Sequence, residues 1–123
     1  MFDRYTPDAR QALFFARYEA RLAGATALEV EHLWLGVLQQ SKRLVKRLAP
    51  KVNPELIRER IALRGDPLPR TSLTTEIPLS APAERVLLEA AGTDPNSRSP
   101  IKVDDIVRAL IHEDQSATSA GAA

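Results

Sequence analysis

The chain has 123 residues, the usual size of one domain with a modest core, and carries 17 Lys or Arg against 16 Asp or Glu for a formal net charge of +1. It has no cysteine, which excludes disulfides, thiol catalysis and thiolate metal sites, and its near-neutral balance gives no overall attraction to nucleic acid, anionic membrane or acidic substrates. Met1 leads straight into Asp3 and Arg4, and no apolar run approaches the roughly 20 residues that span a bilayer, so the sequence reads as soluble and cytoplasmic.

Apolar residues recur at helical spacing, and no segment alternates as a half-buried strand would. Thr6-Pro7-Asp8 starts the first helix: the hydroxyl caps, proline suits the first turn, and the carboxylate meets the positive dipole end. Gly24 stops it. A second helix is expected from about Val30 to Gln40, and a short basic one from Lys42 to Leu48, interrupted by Pro50. Asn53 and Pro54 open a fourth, through Leu56, Ile57 and Ile61, that Gly65 ends. Residues 66–79, rich in Pro, Ser and Thr, read as an extended connector. Ser80 caps the next helix, which ends near Gly92. After a turn-rich stretch from Thr93 to Pro100, a last amphipathic helix covers about Val103 to Glu113, and 115–123 reads as a flexible tail.

Two stretches about 74 positions apart share one pattern. Thr6 is followed by Ala9, Ala12, Leu13, Ala16 and Ala20, then by Val30, Leu33, Trp34, Val37 and Leu38. Ser80 is followed by Ala83, Val86, Leu87, Ala90 and Ala91, then by Val103, Ile106, Val107, Leu110 and Ile111. Glu31 and Asp104 each follow the valine that opens the second helix of their copy. The expected fold is therefore all-α: one domain over 1–114, with repeat one at 2–65 and repeat two at 80–114, folded as a compact orthogonal bundle of two pseudo-symmetric repeats. The second repeat is truncated, stopping after two helices.

Phe2, Tyr5-Thr6-x-x-Ala9 and the run Val30-Glu31-His32-Leu33-Trp34-Leu35-Gly36-Val37-Leu38 resemble the amino-terminal repeat of the Clp family of AAA+ unfoldases, especially the ClpC type. Leu79-Ser80-x-x-Ala83 and Val103-Asp104-Asp105-Ile106 match its second repeat more loosely, with Asp104-Asp105 where the first copy has Glu31-His32. The resemblance implies a mobile recognition domain above an ATPase ring that binds protein substrates or adaptor proteins. Several ClpC-type domains recognise phosphorylated arginine through Thr and Glu at the positions matching Thr6 and Glu31. It thus implies two phosphoarginine pockets, Thr6 with Glu31 and Ser80 with Asp104. A capping hydroxyl at a helix start suits the phosphate and a carboxylate the guanidinium. Helix capping alone also accounts for Thr6 and Ser80.

Other functions find less support. His32 and His112 stand without a second histidine at helical spacing, so hydrogen bonding is the expected role and no metal or other cofactor is called for. Asp104-Asp105 and Glu113-Asp114 are neighbours that point different ways on a helix, poor geometry for paired acid and base chemistry. No phosphate-binding Gly-x-x-x-x-Gly-Lys-Ser/Thr element or nucleophile elbow is present, so the chain is not expected to be an enzyme. The segment 42–64 holds eight Lys or Arg against Glu55 and Glu59, an excess of six that leaves the remainder net negative by five. It supports a rival reading as a small helical nucleic-acid-binding domain, although no aromatic residues interleave for stacking and a solvated helix face explains it as well. The expected partners are a Clp unfoldase, its adaptors and protein substrates, with the isolated chain monomeric.

Overall fold

The structure, a computed structural model, describes residues 4–64, 77–92 and 99–122, without the side chains of 64 and 115–122. These residues form six helices: α1 (Pro7–Leu22), α2 (Val30–Gln40), α3 (Lys42–Leu48), α4 (Pro54–Arg64), α5 (Ala81–Ala91) and α6 (Val103–Ala122). Among them there is no strand, only two isolated bridges, so the chain is all-α as its periodicity predicts. Most of the expected connector, 66–76, and of the turn, 93–98, lie outside the described residues.

Local chemistry sets the helix ends. Thr6 Oγ1 accepts the Ala9 N–H at 3.2 Å, and Ser80 Oγ accepts the Ala83 N–H at the same distance, each with proline in the first turn. Asn53 Oδ1 accepts the Glu55 N–H at 2.9 Å at the head of α4. Gly92 leaves α5 at φ 87°, a left-handed conformation that a side chain would strain. The one boundary that differs is the last. The backbone of α6 runs on through Ala122 and does not stop near Glu113. The stretch 115–120 holds no proline or glycine to stop the turn, and the helix takes in Gly121 as well.

The core is one cluster drawn from both copies. Ala9, Ala12, Leu13, Ala16 and Ala20 form the buried stripe of α1, which packs on α2 at Gly36, and α2 itself buries Leu33, Trp34, Leu35 and Val37. Ala83 and Val86 of α5, with Ile106, Val107, Ala109 and Leu110 of α6, complete it. The contact of α1 with α2 is the most extensive between any two helices. Small residues make it possible: a Cβ at Gly36 would lie 2.3 Å from the Ala12 carbonyl oxygen and 2.9 Å from the Ala16 Cβ. Glu19, buried on α1, accepts both guanidinium N–H groups of Arg58 at 3.1 Å and ties α4 to this pair.

Candidate functional site

The two bridges decide which candidate residues meet. Thr6 N–H donates to the Ile101 carbonyl at 3.0 Å and Ile101 N–H to that of Arg4 at 2.7 Å. In the other half Ser80 N–H donates to the Leu28 carbonyl at 3.0 Å and Leu28 N–H to that of Pro78 at 2.8 Å. Ile101 lies just before α6 and Leu28 just before α2, so the start of α1 sits beside the start of α6, and the start of α5 beside the start of α2. The pairing expected within each copy is thus made between copies: Thr6 shares a cavity with Asp104, not Glu31, and Ser80 opens α5 beside Glu31, not Asp104.

Thr6 and Asp104 line a cavity of about 290 Å³ together with Asp8, Gln40, Ser41, Leu44, Lys102 and Val103. Glu31 lines a larger groove of about 810 Å³ with Glu29, Val30, Pro82, Arg85, Glu113 and Asp114, among others. The two are the same place on the two copies. Aligning Thr6 with Ser80 and Val30 with Val103 sets Asp8 against Pro82, Gln40 against Glu113, Ser41 against Asp114, Lys102 against Glu29, and Asp104 against Glu31. Their charge has diverged. The Thr6 cavity offers the capping hydroxyl, whose oxygen already accepts from Ala9 N–H and whose proton can serve a ligand, together with the Lys102 ammonium and the Asp104 carboxylate. In the other, glutamate replaces Lys102 and two acids replace the neutral Gln40 and Ser41.

The same alignment explains why Glu31-His32 becomes Asp104-Asp105. His32 Nδ1 accepts the Glu29 N–H at 2.9 Å, and Asp105 Oδ2 accepts the Lys102 N–H at 2.9 Å. Both third-position side chains reach back to the residue before their helix and satisfy a donor that the helix itself leaves open. His32 is therefore a hydrogen-bonding residue of the core, 2% exposed. His112 on α6 pairs with Glu89 of α5 through Nδ1. Among the described residues no group of three or more acidic or imidazole side chains is placed to hold a metal ion.

Beside the larger groove lies a second of about 530 Å³, lined by Trp34, Leu48, Val52, Leu56, Ile57 and Ile111 and sharing Val30, Glu31, Arg60 and Asp114 with the first. Asp114 stands at the junction. Loss of water around its carboxyl raises its pKa above the usual carboxylate range, with Glu31 and Glu113 adding to the rise, while a hydrogen bond from Trp34 and the charge of Arg60 oppose it. Arg85 donates two hydrogen bonds to Glu113 at 3.2 Å, which raises the guanidinium pKa further. Lys102, Arg60 and Asp114 are the lining residues that motif reading misses. The repeat offset, carried one position upstream of each valine, would have placed Lys102 opposite Glu29. Arg60 and Asp114 leave no such trace.

A family model described as the Clp repeat (R) N-terminal domain matches residues 4–120. Among solved structures, the crystal structure of the N-terminal domain of the caseinolytic protease associated chaperone ClpD from Arabidopsis thaliana is similar in fold. It is 24% identical, with a TM-score of 0.68 over 96% of this chain and 82% of that one. No curated protein matches the sequence.

Proposed function

The chain belongs to the Clp repeat (R) N-terminal domain family, and from that premise we propose that it is a recognition module of a Clp unfoldase and protease system, binding substrates or adaptors in the cytoplasm and catalysing nothing itself. The observation that carries the finer reading is the Thr6 cavity, which joins a helix start and a capping hydroxyl to Lys102 and Asp104. A side chain bearing both a phosphate and a guanidinium is the ligand this set suits. The phosphate meets Lys102, the Thr6 proton and the dipole of α1, and the guanidinium meets Asp104. Phosphoarginine is that ligand. The cavity at Glu31 is the poorer host, because Glu29, Glu113 and Asp114 repel a dianionic phosphate.

Calorimetric titration with free phosphoarginine tests this. Saturable heat is expected from the native chain and from Glu31→Ala, and none from Asp104→Ala. Loss in Glu31→Ala alone would move the ligand to the other cavity, and no heat at all would sink the phosphoarginine reading. A duplex oligonucleotide serves as the parallel ligand for the basic segment 42–64. Its binding is expected to be negligible, since Arg58 is engaged by Glu19 and Arg60 lines the grooves together with Asp114, which breaks the run into separate patches.

A further inference from the structure

In the first copy a helix covers the start of its neighbour: Leu44 of α3 closes the cavity over Val103, Asp104 and Ser41. The positions equivalent to those three are Val30, Glu31 and Asp114, and they line the two joined grooves. Glu31 is itself buried and α4 flanks the grooves through Leu56, Ile57 and Arg60, but among the described residues no helix takes the place beside Asp114 that α3 takes beside Ser41, because α6 runs on where α2 gives way to α3. The floor is apolar, made by Val30, Trp34, Val52, Leu56 and Ile111. The lining is acidic: Glu29, the buried Glu31, Glu89, Glu113 and Asp114 stand against three formal cations, Lys51, Arg60 and Arg85, an excess of two negative charges, with Glu113 already paired to Arg85 and Glu89 to His112.

We propose that this groove receives a short cationic amphipathic helix from a partner protein, seated on α2, α4 and α6 as α3 is seated on the other copy. The helix α3 shows what such a seat takes. Its sequence Lys42-Arg43-Leu44-Val45-Lys46-Arg47-Leu48 buries Val45, half-buries Leu44 and Leu48, and keeps four cations outward. Seven residues span about 10 Å of helix axis. On the more acidic seat those outward cations gain partners, so charge complementarity selects a basic helix over an acidic one of equal hydrophobicity. The site and its ligand differ from the Thr6 cavity and phosphoarginine, and either stands if the other fails.

Trp34 is the one tryptophan of the chain and lines this groove, so its emission reads occupancy. The probe is a tryptophan-free, amidated peptide of two α3 sequences in tandem, compared with one in which every Lys and Arg is Glu. The cationic peptide is expected to change Trp34 emission saturably and to bind more weakly as salt is added, and the acidic peptide to do nothing. Glu113→Gln with Asp114→Asn should weaken binding about ten-fold, in line with the loss of two partly exposed charge pairs. Leu56→Ser, at a half-exposed position outside the core, should weaken it as well, and Asp104→Ala should leave it unchanged. Circular dichroism confirms that each variant is folded. Absent binding of the cationic peptide, equal binding of the acidic one, or indifference to the Glu113 and Asp114 changes would overturn the proposal.

Discussion

The first helix pair, α1 with α2, and the second, α5 with α6, share their caps and their bridges but are packed differently. Thr6 and Ser80 make the same bond to the third residue of their helix, and His32 and Asp105 the same bond to the residue before theirs. Between the helices the likeness ends. Where α2 has Gly36 against Ala12 and Ala16, α6 has Ala109, and α5 offers Val86 and Ala90. Where α2 buries Leu35, α6 exposes Arg108. Positions that satisfy backbone donors accept few alternatives, since an open donor costs the same in either copy. Positions on a face follow whatever covers that face, and α3 and α4 both pack on α2 while α6 meets α3 alone of the two.

The largest effect is expected where that difference is sharpest. Gly36→Ala puts a Cβ against the backbone of α1, which no rotamer change relieves, and should destabilise the fold by on the order of 2–3 kcal/mol in urea titration. The matching exchange, Ala109→Gly, only loosens a helix interior and should cost about 1 kcal/mol. Equal costs would mean that the two pairs pack alike. Next comes the clamp on α1. Glu19→Ala leaves Arg58 without its bidentate partner and should cost about 1–1.5 kcal/mol, tempered because Arg58 is well exposed. Glu113→Ala, which frees the equally exposed Arg85 from a less buried carboxylate, should cost less. A larger loss at Glu113 would reverse the order of the two clamps.

Helix order and most helix ends could be read from residues because caps and stops are local: Thr6-Pro7, Asn53-Pro54, Ser80 and Gly92 act within a few positions of themselves. The repeat too was visible, as spacing. What spacing does not say is how two copies are joined. A duplicated pair closes its ends either within a copy or across to the other, and both choices use the same residues. Here the choice rests on four backbone hydrogen bonds at Thr6, Ile101, Leu28 and Ser80, which carry no side-chain signature. Pairing Thr6 with Glu31 therefore followed from sequence order, and the fold pairs it with Asp104. The end of α6 escaped for the opposite reason. Its apolar stripe stops at Ile111, and no apolar spacing in the sequence marks the turns beyond.

Two further predictions bear on single positions of the comparison. If His32 and Asp105 do one job at the backbone, His32→Ala should cost on the order of 2–3 kcal/mol, since it also opens a cavity in the core, and His32→Asn should recover part of it, because its amide oxygen accepts the same Glu29 N–H without burying a charge. Thermal melts of both variants decide, and an asparagine no better than alanine would separate the two roles.

Asp114 tests the junction of the grooves against Ser41, its uncharged counterpart. Its carboxyl lies above the usual range because the fold strips water from it, so the folded state prefers the neutral acid. The sign follows from linkage. A raised folded pKa contributes stability in full below the ordinary carboxylate range and loses it as pH climbs through the raised value, leaving an unfavourable charge near neutrality. Asp114→Asn removes that charge yet keeps an oxygen for the Trp34 indole, and should raise stability near pH 7 by a few tenths of a kcal/mol, a small gain because the residue is still partly exposed to water. At a pH below the carboxylate range the variant and the native chain should melt together. A variant that is less stable near neutrality would show that attraction to Arg60 outweighs the lost water. Arg60, already counted among the three cations of the grooves, would then hold Asp114 in place, and the excess of two negative charges would rest on the remaining acids.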